Sequence, residues 1–111
     1  MTDGILRHLF TGFVRLHVLY HADKEPICGV EIMEELESHG YEIGPGTLYP
    51  MLRHLEEQGY LSCAVAVFAG KRRKNYRITL RGKKLLRRAK VKLRELVAEI
   101  VDDQDHRRAR R

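Results

Sequence analysis

Apolar residues in the first fifth of the chain fall at intervals of three and four. Between residues 4 and 22, Leu6, Leu9, Phe10, Phe13, Leu16 and Tyr20 follow this spacing, which predicts a helix. Ile5, Val14, Val18 and Leu19 widen its apolar arc well past one face, so the helix must be buried on most sides and is expected at an interface. Gly12 is a point where it can divide in two. Asp23-Lys24-Glu25-Pro26 reads as a turn, because proline disfavours helix in the residue before it. A second helix is predicted from about 29 to 39, with Ile32, Met33 and Leu36 inward and Gly40 as a left-handed C-terminal cap. Glu31, Glu34, Glu35 and Glu37 make its outer face acidic and ill-suited to lie along phosphates.

The third periodic segment is shorter. It starts after Gly44, with Pro45 at the first helical position, or after Thr47, with Thr47 as cap and Pro50 in the first turn; Gly59 ends it. At ~100° per residue, Leu48, Met51, Leu52 and Leu55 project to one side. Tyr49, Pro50, Arg53, His54 and Glu57 project to the other. Two strands are expected next, residues 61–68 and 75–79, the latter alternating Tyr76, Ile78 and Leu80 with polar neighbours. Between them Gly70 and Lys71-Arg72-Arg73-Lys74 read as a basic hairpin tip. Thr79 caps a last helix reaching about Val101, in which Leu86, Ala89, Leu93, Leu96 and Ile100 form a two-heptad seam that Leu85, Val97 and Val101 widen. Residues 102–111 carry charge without apolar period and read as a frayed, disordered tail.

Composition narrows the partners. The 111 residues allow one domain with a modest core, a size that often completes its burial by oligomerising. Lys and Arg number 21 against 15 Asp and Glu, a formal charge of +6 that favours a polyanion or an acidic surface without choosing among DNA, RNA and membrane. The longest apolar run, Ala64 to Ala69, falls far short of the roughly 20 residues that span a bilayer. With no signal peptide at Met1, a soluble cytoplasmic protein is expected, with Cys28 and Cys63 as reduced thiols.

A short helix whose outer face carries an aromatic hydroxyl, an arginine, a histidine and a proline near its N-terminus suits a groove of DNA. Its orphan N–H groups can meet phosphate and Arg53 can contact guanine in bidentate fashion. The bland alternative is an ordinary solvated face; the acidic helix before and the basic hairpin after favour a reader. Lys71 to Lys74 would position the protein on the backbone without specifying sequence. The C-terminal seam could pack on its own domain, but a second copy is the simpler burial. His17 and His21, four apart on a helix, have a metal-binding spacing. No third ligand has local support, since Cys28 or His39 would have to converge, so no metal or other cofactor is expected. No arrangement suggests an enzyme: catalytic triads and paired carboxylates are missing, and Gly44-Pro45-Gly46 lacks the Lys-Ser/Thr of a phosphate loop.

Residues from about 10 to 86 resemble the PadR family of bacterial transcriptional regulators. The resemblance is carried by Gly46-Thr47-Leu48-Tyr49-Pro50-Met51-Leu52-Arg53-His54-Leu55-Glu56 with Gly59-Tyr60-Leu61, and by Gly70 to Thr79 with Gly82. Thr-Leu-Tyr-Pro at the start of a reading helix is very specific. At Cys28-Gly29-Val30 the chain departs from the family's usual Gly-Tyr pair and lacks an aromatic hydroxyl there. The resemblance implies a mainly α winged helix-turn-helix with a small two-stranded wing (residues 1–79), a long C-terminal dimerisation helix (80–101) and the tail (102–111). It further implies a homodimer on a pseudo-palindromic double-stranded DNA operator, commonly as a repressor. Gly46, Thr47, Tyr49, Pro50, Arg53 and His54 would serve the reading helix, and Lys71, Arg72, Arg73 and Lys74 the wing tip. Leu6, Leu9, Phe10 and Phe13 with Leu86, Ala89, Leu93, Leu96, Val97 and Ile100 would form the dimer interface. Several relatives release DNA on binding a phenolic or drug-like molecule at that interface; this chain has no Trp to stack on one. The competing expectation is a basic adaptor that uses the same fold to bind RNA or a protein partner.

Overall fold

The computed structural model describes residues 4–102. Its elements are α1 (Gly4–Lys24), β1 (Ile27–Cys28), α2 (Gly29–Ser38), α3 (Pro45–Glu57), β2 (Leu61–Phe68), β3 (Lys71–Ile78) and α4 (Leu80–Leu96), with a π turn over Val97–Val101. The expected tail lies outside the described residues except for Asp102.

Helix α1 runs unbroken through Gly12, the point at which it could have divided. A helical glycine costs about 1 kcal/mol, and burial of Val14, Val18, Leu19 and Ala22 just beyond it holds the helix together. The helix also takes in Asp23 and Lys24, both expected in the turn, and stops short of Pro26. The four side chains it buries belong to a different face from the Leu6–Leu9–Phe10–Phe13 row.

The sheet has three antiparallel strands in the order β1-β3-β2, one more than expected. Strand β1 pairs Ile27 with Tyr76 and Cys28 with Asn75, and two residues are too few to show a period. The hairpin differs too. Its tip is Ala69-Gly70, with φ of 52° and 76°, the left-handed pair of a two-residue turn that matches the strands' twist. Lys71 to Lys74 are therefore not the tip; they begin β3, with Lys71 opposite Phe68 and Lys74 opposite Val65.

One core joins the four α-helices and the three strands. Val18, Leu48 and Leu52 have no exposed surface, and around them pack Leu19, Ile32, Leu36, Leu55, Leu61 and Tyr76. Leu86 of α4 is buried in this same core, which removes it from the expected dimer seam: the first heptad position packs on its own chain.

Both helices of the helix-turn-helix end in the same way. Gly40 donates to the Glu37 carbonyl at 2.9 Å and Tyr41 to Leu36 at 3.0 Å. Gly59 donates to Glu56 at 2.9 Å and Tyr60 to Leu55 at 2.9 Å. The glycines' φ of 86° and 84° lie in the region this pairing demands. Thr79 then starts α4: its hydroxyl accepts from the Gly82 N–H at 3.0 Å and donates to the Gly59 carbonyl at 2.5 Å. The end of α3 is thus tied to the start of α4 through one side chain.

Candidate nucleic-acid interface

Of the two possible starts, α3 uses Gly44 as its cap with Pro45 in the first turn. Pro50 consequently stands in the second turn. Lacking an N–H, it leaves the Gly46 carbonyl without its usual intrahelical donor, at a helix end exposed to solvent. The helix buries Leu48, Met51, Leu52 and Leu55. Gly46, Thr47, Tyr49, Pro50, Arg53, His54 and Glu57 are all exposed, so the two sides divide as the projection predicts.

Tyr49 is exposed by 42%, and its ring leans across the N-terminus of α2. A Cβ on Gly29 would come within 2.5 Å of Tyr49 Cε1 and 2.9 Å of its oxygen. Only a glycine lets this ring lie there. The departure from the usual Gly-Tyr pair at Gly29-Val30 thus has a neighbour in space, since an aromatic hydroxyl from α3 occupies the approach to α2. No sequence signal links these two positions.

In the wing, strand alternation splits the four bases. Arg72 and Lys74 share a face with Tyr76 and its partner Cys63; Lys71 and Arg73 lie on the other. The Arg73 guanidinium sits over the Phe68 ring, 5.3 Å from its centroid. All four bases are exposed, as are Val65, Val67 and Phe68 opposite them. The outer half of the hairpin is therefore a two-sided cationic ribbon rather than a basic loop, and a ribbon of this kind can face phosphates on both sides of a groove.

Beneath the ribbon, burial pushes the Tyr76 phenol up, helped by Cys63 and Glu56 nearby, and burial likewise raises the Cys63 thiol. Both stay neutral near pH 7. Glu31 accepts the Cys28 N–H at 3.0 Å at the start of α2, and this bond holds its carboxyl below the usual carboxylate range.

The residues expected at a dimer interface fall into two exposed rows. On α1, Leu6, Leu9 and Phe10 are exposed and Phe13 half-buried. On α4 and its π turn, Ala89 and Leu93 are half-buried and Leu96, Val97 and Ile100 exposed, Ile100 by 71%. The histidines give a different surprise. His39, at the C-terminal cap of α2, stands beside His17 and His21, and ligand atoms of all three lie within 4.8 Å of one another. Burial lowers the His17 pKa, and the two neighbouring imidazoles lower it further. Among the described residues, no helix is long and apolar enough to cross a membrane.

A helix-turn-helix of α2 and α3 followed by a β-hairpin defines a winged helix, the class of protein that presents one helix and one ribbon to a nucleic acid. Comparison with known proteins agrees. Residues 18–88 match the family described as transcriptional regulator PadR-like, and the chain belongs to that family. It is 39% identical over 101 residues to Transcriptional regulator Rv3488 of Mycobacterium tuberculosis, covering 91% of this chain and 94% of that one. Among solved structures, a PadR family transcriptional regulator from Eggerthella lenta is 32% identical with a TM-score of 0.77, covering 88% of this chain and 87% of that one. The protein smu.1704 from Streptococcus mutans is 30% identical with a TM-score of 0.71, covering 81% and 83%. The chain is a DNA-binding transcriptional regulator of the PadR family.

Proposed function

We propose that this regulator acts as a homodimer on a pseudo-palindromic duplex operator and represses the adjacent transcription unit, in the cytoplasm where the chromosome lies. The outward face of α3 carries this reading, because Thr47, Tyr49 and Arg53 are solvent-exposed while the opposite face fills the core. Arg53 would read a base edge in the major groove; Gly46, Thr47, Pro50 and His54 would border the phosphates. Lys71, Arg72, Arg73 and Lys74 would grip the neighbouring backbone from both faces of the ribbon. The exposed apolar rows of α1 and α4 would pair across a two-fold axis, with half-sites about one helical turn apart, ~34 Å. A small aromatic effector would enter the apolar groove of about 480 Å³ between α1 and α4, bordered by Leu9, Phe13 and Leu85.

The test is an operator selected from random duplexes, followed by gel-shift titration against a scrambled duplex. Arg53→Ala should cost about 1–3 kcal/mol on the operator and relax specificity at one position. Lys71→Ala and Arg72→Ala should weaken both duplexes alike and flatten the salt slope by about 1 each. Unchanged affinity in all three variants, or preference for single-stranded RNA over the selected duplex, overturns the reading.

A further inference from the structure

His17 and His21 share one face of α1, and the cap of α2 delivers His39 to them from another element. The His17 and His39 rings stack with centroids 4.7 Å apart, and the edge of Tyr41 closes on His17 at 5.3 Å between centroids. Packing alone leaves one atom unexplained. His21 Nε2 is buried and has no hydrogen-bond partner. The Glu35 carboxylate oxygen nearest to it is 3.8 Å away, too far for such a bond. A ring nitrogen withdrawn from water with nothing in return is unfavourable, whereas a metal ion would use that lone pair.

Geometry allows it. A tetrahedral zinc ion with nitrogens at ~2.1 Å holds its ligand atoms roughly 3.4 Å apart, and the three histidine atoms already lie within 4.8 Å of one another. Side-chain rotation of the three imidazoles, of which His39 is exposed, can close the difference. Three imidazoles suit a borderline first-row ion and do not suit calcium or magnesium, which take oxygen ligands.

We propose that His17, His21 and His39 form a binding site for one first-row transition-metal ion of the zinc class, with Glu35 or a water in the remaining position. The ion would clasp α1 to the end of α2, directly before the turn that leads into α3. This inference rests on the histidine geometry and is independent of the DNA reading.

Untagged protein, titrated with Zn²⁺ against a chromophoric chelator, tests it. One ion should bind per chain. His17→Ala, His21→Ala and His39→Asn should each weaken binding by at least about tenfold, while His8→Ala and His54→Ala leave it unchanged. His39→Asn is the informative variant, because asparagine is tolerated at a helix C-terminus and the site is exposed. Zn²⁺ should also raise the Tm of the wild type and not that of His39→Asn, provided that both melt alike without metal. Equal binding by wild type and His39→Asn, or no saturable binding in the wild type, overturns the proposal.

Discussion

Replacing Gly29 with alanine should separate the fold from the reading surface. The new Cβ would lie 2.5 Å from Tyr49 Cε1, against an ordinary contact of 3.4 Å or more, so the ring edge must withdraw by roughly 1 Å. At about 5 Å from the Tyr49 Cα, that is a rotation of roughly 10°. A 30° departure costs about 0.5–1.5 kcal/mol, so a third of it costs a few tenths. Alanine at a helical position returns about 0.4–1 kcal/mol through the unfolded state. The two nearly cancel, and urea melts should place Gly29→Ala within about 1 kcal/mol of wild type. The Tyr49 hydroxyl, however, is carried past the ~3.2 Å reach of a good hydrogen bond. In the proposed complex the exposed Tyr49 hydroxyl would donate to a phosphate beside those that Thr47 borders, and losing a bond to such a charged group costs about 1.5–3 kcal/mol, roughly 10- to 150-fold in operator affinity. Tyr49→Phe should lose as much without any displacement. The reasoning fails if both variants bind the selected operator as wild type does, or if Gly29→Ala unfolds instead of merely losing affinity.

Two further outcomes follow from the helix starts. Thr79→Ala removes both the acceptor for Gly82 and the donor to Gly59, and chemical denaturation should show a loss of about 1–2 kcal/mol; a loss near zero would mean that water replaces the hydroxyl at both atoms. Glu31→Gln should matter through pH. The folded Glu31 pKa lies below the ordinary value of 4.5. The carboxylate's contribution is therefore full above that value and disappears as pH falls through the folded pKa. Melting curves of wild type and Glu31→Gln should differ at pH 7 and converge in acid. A gap that stays constant as pH falls from 7 into acid would assign the effect to something other than the carboxylate's charge.

What could be read in advance was whatever depends on one element's own periodicity. The four buried side chains of α3 and the exposed face of Tyr49 and Arg53 follow from 3.6 residues per turn, and Thr79 announces itself as a cap by its chemistry. Lys71 to Lys74 misled because four charged residues carry no apolar alternation; their strand character comes from pairing with Val65 to Phe68, a contact between segments. Leu86 misled for a related reason, since a heptad seam looks the same whether it packs on its own chain or on a copy. His39 beside His17 and His21 depends on how α2 lies against α1, which no local pattern encodes. The same holds for Tyr49 over Gly29.

The Thr79 hydroxyl, bonded at once to the glycine that closes the end of α3 and to the first turn of α4, acts as a hinge pin. Seventeen residues of α4 make a lever about 25 Å long. Five degrees of slack at that pin would swing its far end by about 2 Å, and in a two-fold assembly the mirrored arm would double the error between the two heads. In the proposed dimer, one small side chain would thereby help to set the calliper width between the two DNA-facing heads.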